Sequence, residues 1–200
     1  MKNNTSHAPL ILASASPRRL ELLARIGVIP THTIPADIDE SETSKELPRG
    51  VALRLAQEKA QKIYEDHKDK NTFILAADTV VACGRRTLPK GETEEDAHYC
   101  LKLISGRSHR IYGGLCIITP GGKIITKCIE TRVKFKHLSK QEIDQYVESG
   151  EWEGKAGAYG IQGRAEAFVK SIHGSHSNIV GLSLYDTINI LNGLDFFKPA

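Results

Sequence analysis

Two serines and two arginines fall together at Ser14-Ala15-Ser16-Pro17-Arg18-Arg19, directly after the apolar run Leu10-Ile11-Leu12-Ala13. That run reads as a strand buried on both faces. Apolar residues then return at helical spacing through Leu20, Leu23 and Ile26, until Gly27 stops the helix. Ser16 is placed to cap it, and Pro17 fits the first helical position, where a missing N–H costs nothing. Both arginines sit in the first turn, at the positive end of the helix dipole, where an exposed cation costs about 0.3–1 kcal/mol. A local rule broken twice points to a ligand. Helix-start N–H groups, two hydroxyls and two guanidinium groups would together grip a polyanion such as a triphosphate. The plainer alternative is a strand–turn–helix whose arginines reach solvent or a surface carboxylate.

Asp78 follows the apolar residues Phe73-Ile74-Leu75-Ala76-Ala77, which puts a carboxylate at the carboxyl end of a buried strand. Ligands of open α/β sheets bind at that edge. A carboxylate there can hold a divalent cation or take a proton from water, or it is a turn residue bonded to the backbone of Thr79 and Val80. Lys59, in mid-helix, and Lys90, after Leu88-Pro89, read alone as snorkelling surface lysines. Triphosphate chemistry nevertheless needs several cations. Glu40 belongs to an acidic stretch, Asp37 to Lys45, that by itself reads as a solvated loop. Gly154 to Gly163 contains four glycines and lets backbone approach a ligand, or is a plain loop. Its Gln162 offers a donor and an acceptor suited to a pyrimidine edge. His173 and His176 read as surface loop residues, and Trp152 and Tyr159 as packing groups.

These side chains need a frame. Thr31 to Ala36 reads as a short strand between Pro30 and Pro35. Pro48 opens a long helix with Val51, Leu55, Ala56, Lys59, Ala60 and Ile63 on recurring faces. Phe73 to Ala77 is a central strand ended by Asp78, with Val80, Val81 and Ala82 extending it or forming its partner. Thr93 caps a helix running to Ile104. Ser108 to Thr119 and Lys123 to Lys134 form a hairpin across Pro120-Gly121-Gly122. Ser139 and Glu142 make a capping box for a helix closed by Gly150. Ala167 to Ile172 is a last strand, followed by a final helix from Asn178 or Gly181 to Leu191. Helices alternating with strands, plus a hairpin, indicate an α/β fold with a mixed sheet.

The net charge of +3 comes from 27 basic and 24 acidic residues that are interspersed, which argues against a dedicated DNA-binding surface. The cysteines at 83, 100, 116 and 128 form no CxxC pair, so free thiols in a reducing cytosol are expected. Met1 to His7 is polar and lacks the apolar core of a signal peptide. No run approaches the roughly 20 apolar residues of a membrane span. A soluble, cytoplasmic protein is expected. No GxxxxGK[ST] loop is present, which disfavours a phosphotransferase.

The string Ala13 to Leu23, ASASPRRLELL, resembles the opening motif of the Maf family of nucleoside triphosphate pyrophosphatases. The resemblance returns at Asp39-Glu40-Ser41, Leu55 to Ala60, Ala77 to Val81, Leu88-Pro89-Lys90, Leu103 to Gly106, Lys155 to Gly163 and Ser177 to Leu182, and so spans nearly the whole chain. It implies one Maf-like domain over residues 1–200, made of two closely fused lobes, with a flexible N-terminus over 1–8. The implied fold is a mixed, twisted central sheet flanked by helices, with a β-hairpin lobe and an active cleft between lobes, like that of the ITPases. The implied reaction cleaves a nucleoside triphosphate between the α and β phosphates. Asp78 would be the general base, and Glu40 with Asp78 would hold Mg²⁺ or Mn²⁺. Ser14, Ser16, Arg19, Lys59 and Lys90 would bind the triphosphate.

Arg18, Thr79 and Gln162 match the residues that sort the base in the dTTP/UTP branch of that family. The 7-methyl-GTP branch tends to tryptophan and glutamine at the first two positions. Gly91 stands where many members carry proline, and is expected to loosen the turn around Lys90. The resemblance also implies a homodimer and a role in removing unwanted nucleotides; charge and hydropathy lead to the expectation of neither a stable nucleic-acid partner nor a membrane. The rival expectation is a non-catalytic nucleotide-binding regulator of cell division, since members of the family are connected with septum formation.

Overall fold

Strand β1 (Leu10–Leu12) runs parallel to β2 (His32–Thr33) on one side and β3 (Phe73–Cys83) on the other. β3 is antiparallel to β4 (Arg86–Thr87) and to β5 (Ser108–Ile118), which pairs with β6 (Ile124–Phe135), which pairs with β7 (Val169–His173). Among the described residues the result is a seven-stranded mixed sheet, in the order β2-β1-β3-β5-β6-β7 with β4 on β3. The computed structural model describes residues 8–41, 43, 46–67 and 71–198. The N-terminal tail expected over 1–8 therefore lies, except for Ala8, outside them, as do positions 42, 44 and 45 of the acidic loop.

Side chains alternate across a strand, so a strand covered on both faces must be apolar throughout. Phe73, Leu75, Ala77 and Val81 face one core with residues of α1 (Pro17–Arg25), α3 (Glu94–Ile104), α4 (Lys140–Glu148) and α6 (Leu184–Gly193). Ile74, Ala76 and Val80 face α2 (Pro48–His67) through Val51, Ala52, Leu55, Ala56, Ala60 and Ile63. Asp78 shares the alternation of Ile74, Ala76 and Val80, and so points to the α2 face.

Several expectations hold. The β5–β6 hairpin turns at Thr119 to Lys123, where the Lys123 N–H donates to Thr119 Oγ1 at 3.1 Å. Capping boxes begin α3 at Thr93 and α4 at Ser139. All four cysteines are free thiols.

Others change. β3 is not ended by Asp78: of the two readings of Val80 to Ala82 the structure takes extension, to Cys83, because antiparallel β5 pairs with the strand as far as Ala82. The expected strand Thr31 to Ala36 pairs only at His32–Thr33, since β1 offers a mere three residues to pair with. Ala167 to Ile172 divides between a 3₁₀ turn, Arg164–Phe168, and β7. The last helix is two helices, α5 (His176–Val180) and α6, broken at Gly181, whose φ of +139° suits only glycine. Ser16 occupies the N-cap position of α1, but its hydroxyl makes no capping bond.

α2 lies directly on the middle of the hairpin. A Cβ at Gly114 of β5 would come within 1.8 Å of the Ala52 carbonyl oxygen in α2, where only rigid backbone could yield. Gly114→Ala is expected to destabilise the protein by about 3 kcal/mol or more, read as a lowered midpoint in urea unfolding.

In the opposite core, His109 is 1% exposed, with Nε2 2.8 Å from the Tyr159 hydroxyl and its ring edge-on to Phe135. Burial pushes its pKa down to about 4, so the folded chain refuses a proton that the unfolded chain accepts from about pH 6.5 downward. The stability contributed by this neutral imidazole is present above about pH 6.5 and lost as pH falls toward the folded value. Urea unfolding between about pH 7 and 5 is expected to show this loss, at up to about 1.4 kcal/mol per pH unit, and His109→Gln is expected to flatten it.

Candidate active site

The site begins as a gap in the sheet. β1 pairs with β3 only as far as Leu12 opposite Leu75, and β4 joins the same edge of β3 only at Ala82 and Cys83. Between those pairings no strand lies on that side of Asp78 and Thr79 among the described residues. The gap opens because the chain turns away just past β1, where the Ser14 N–H donates to the Leu12 carbonyl at 3.0 Å, and then enters α1. A cleft of about 610 Å³ occupies the gap, and all ten of the residues singled out from the sequence line it: Ser14, Ser16, Arg18, Arg19, Glu40, Lys59, Asp78, Thr79, Lys90 and Gln162.

Asp78 is 7% exposed and Lys59 8%. The Lys59 ammonium donates to Asp78 Oδ1 at 2.6 Å and pairs with Glu40 Oε1 at 2.7 Å. Lys59 is therefore no snorkelling surface lysine, and Asp78 no turn residue. Mid-helix placement on the buried face of α2, and the strand alternation that turns Asp78 to that same face of β3, bring them together.

Arg19 is held from three sides. Nε donates to the Gly181 carbonyl at 3.0 Å, Nη1 to Ser14 Oγ at 2.9 Å, and Nη2 to Thr79 Oγ1 at 3.3 Å. Ser14 Oγ also accepts from the Ser16 N–H at 3.2 Å. A residue expected at the triphosphate and one expected at the base, Arg19 and Thr79, thus share one hydrogen-bonded group. Burial holds the Arg19 guanidinium below its ordinary pKa, an effect that Asp78 opposes and Arg18 reinforces.

Lys90 stands exposed at the rim on a segment tied to the glycine-rich loop. Gly91 N–H donates to the Lys155 carbonyl at 3.0 Å, Gly154 N–H to the Gly91 carbonyl at 2.9 Å, and Gly157 N–H to the Pro89 carbonyl at 3.0 Å. Gly91 does not loosen the turn: it supplies an N–H, which proline lacks, to these bonds. Gly157, at φ +70°, lies where a Cβ would meet Val81 Cγ1 at 2.8 Å, so this loop packs hard against β3. Trp152 and Tyr159 are buried, as expected of packing groups, although Tyr159 also reaches the cleft. His173 and His176 are exposed.

One cation was missed. Lys155 lines the cleft, and burial, followed by the Arg18 charge, lowers its pKa. It lay within the stretch that resembles the family, but nothing in a lone lysine among glycines marked it. Arg18, Arg19, Lys59, Lys90 and Lys155 face only Glu40, Asp78 and Glu153 in the lining. A cleft so charged suits a multiply charged anion.

The carboxylates also fit a divalent cation. Glu40 and Asp78 already converge on one positive centre, the Lys59 nitrogen. No group of three or more His, Cys, Asp and Glu able to hold a metal occurs among the described residues. Two carboxylates, with the remaining positions left to phosphate oxygens and water, is the donor set that Mg²⁺ uses at nucleotide sites.

Removing one member of a buried pair strands the other. Lys59→Met is expected to cost about 3–5 kcal/mol of stability by leaving Asp78 uncompensated. Asp78→Asn added to that variant is expected to restore part of the loss in urea unfolding.

Known proteins match most of the chain. The family model described as Maf-like protein matches residues 9–194. A Mesorhizobium japonicum protein named dTTP/UTP pyrophosphatase is 55% identical over 191 residues, covering 94% of this chain and 92% of that protein. A Caulobacter vibrioides protein of the same name is 54% identical over 187 residues, covering 94% and 96%. An Ehrlichia canis protein named nucleoside triphosphate pyrophosphatase is 55% identical over 183 residues, covering 92% and 94%. A solved HAM1 protein from Coxiella burnetii superposes with a TM-score of 0.49 at 16% identity, covering 93% of this chain and 99% of that one. With the family model matched from the start of β1 to the end of α6, the chain belongs to the Maf family.

Proposed function

We propose that this protein hydrolyses dTTP and UTP to the nucleoside monophosphate and pyrophosphate. The observation that carries the reading is the buried Asp78–Lys59 pair, which faces Glu40 at the open edge of β3 in a cationic cleft. The names of relatives more than half identical in sequence support it.

In this reading the triphosphate lies against Ser14, Ser16, Arg19, Lys59 and Lys90, whose donors and charges neutralise and orient it. Water adds across the α–β anhydride. Its oxygen bonds to phosphorus, Asp78 takes its proton, and the bridging P–O bond breaks as pyrophosphate leaves. Glu40 and Asp78 are the residues that would hold Mg²⁺ or Mn²⁺, which supplies charge neutralisation at phosphate oxygens and acidifies bound water. Arg18, Thr79 and Gln162 sort the base, Thr79 through its bond to Arg19 as well as directly. The working form is a homodimer whose partner is the nucleotide, not a nucleic acid.

Pyrophosphate release is measured with Mg²⁺ and a panel of dTTP, UTP, CTP, dATP, GTP and 7-methyl-GTP. The expected outcome is turnover of dTTP and UTP above the purines, reduced about 10²- to 10⁴-fold in a folded Asp78→Asn variant. Full turnover in that variant would remove Asp78 as the base. Binding without turnover in the unaltered protein would favour a non-catalytic regulator instead.

A further inference from the structure

Glu40 reaches the cleft from a stretch with neither helix nor strand, and its side chain is 58% exposed. Lys59 holds its carboxylate. Its backbone is held from elsewhere. Arg54, on the same helix as Lys59, donates from Nη2 to the carbonyl of Ser41, the residue next to Glu40, at 3.1 Å. The Ser41 N–H donates in turn to Asp39 Oδ1 at 2.9 Å, so both neighbours of Glu40 are engaged.

The guanidinium that makes this contact is itself locked. Nε donates to Glu46 Oε1 and Nη2 to Glu46 Oε2, at 3.1 and 2.9 Å. Nη1 donates to Glu58 Oε2 at 3.1 Å, and Glu46 also accepts from Thr43 Oγ1 at 2.9 Å. Arg54 does not line the cleft. An exposed ion pair alone contributes little to stability. This fork instead ties the chain just after Glu40 to the helix that carries Lys59, and Asp39, just before it, is joined to that anchor through the Ser41 N–H.

We propose that Arg54 is a positioning residue that holds Glu40 beside Asp78. The inference rests on the function proposed above. There Lys59 serves phosphate oxygens as well as two carboxylates, so its grip on Glu40 weakens as substrate binds. Arg54 takes nothing from the substrate, and its hold on the Ser41 carbonyl persists.

The test is a double-mutant cycle. kcat and KM for dTTP with Mg²⁺ are measured for the unaltered protein, Arg54→Ala, Glu40→Ala and the double variant. Arg54→Ala is expected to lower kcat about tenfold with KM changed less than about twofold, and to lower kcat less than about twofold once Glu40 is absent. Arg54→Lys keeps the charge without the fork and is expected to recover only part of the loss. Where Arg54→Ala does not fold, Glu46→Gln, which loosens the fork from its other end, enters the same cycle. Losses that multiply independently of Glu40, or an unchanged kcat, would overturn the positioning role and leave the pyrophosphatase standing. No turnover of any nucleotide by the unaltered protein would overturn both.

Discussion

A single ammonium group between two carboxylates is the interaction on which this architecture turns. Lys59 and Asp78 are both nearly removed from water, and either charge alone would cost several kcal/mol to bury. Their pairing requires that α2 press closely against the sheet. The glycine at position 114, where no side chain could fit beneath the Ala52 carbonyl, permits that approach. The same closeness seals Ala56, Ala60 and Ile63 against Ile74, Ala76 and Ile118, so the helix that delivers the charge is also the lid of one core. Packing and chemistry here are one constraint.

The opposite side of the gap is assembled from distant parts of the chain. Arg19 comes from the first helix, Thr79 from the central strand and the Gly181 carbonyl from the break between the last two helices. A guanidinium presents its donors in a rigid fork, so binding three acceptors at once sets the relative placement of three elements. The glycine-rich loop closes the third side through backbone bonds to Pro89 and Gly91 and the close packing of Gly157 on the Val81 side chain, which carries Lys90 and Lys155 to the rim together. Each wall depends on backbone contacts as much as on its charged groups. A substitution in a glycine or a carbonyl partner would therefore reach the cleft without touching a ligand.

The elements and most of the site were legible in the chain itself. Continuous apolar runs, capping residues at Thr93 and Ser139, and the turn at Pro120-Gly121-Gly122 reported local preferences, which depend on neighbours in sequence. The breach of dipole preference at Arg18 and Arg19, and a carboxylate interrupting the apolar run at Asp78, marked two places where local stability yields to something else. By themselves these signals left Asp78 open between ligand and turn residue, and Lys59, Lys90 and Glu40 indistinguishable from surface charges. Resemblance to a family, not residue chemistry, drew those last three in.

Tertiary structure decided the rest. The continuation of β3 past Asp78 depends on pairing with β5, some thirty residues later, and no feature of the residues around Asp78 encodes it. Whether Ser16 caps a helix depends on where its hydroxyl finds room, and here the cap is left unmade while Ser14 takes the backbone bond. Lys155 and Arg54 declare themselves only through what folding places beside them: a cleft for one, and the Ser41 carbonyl for the other. The sequence determined which segments would be strand, helix or turn and where charge was out of place, because those are short-range energies. Which charges met, and which backbone edge was left open between them, followed from contacts between residues far apart in the chain, and these exist only once the sheet has formed.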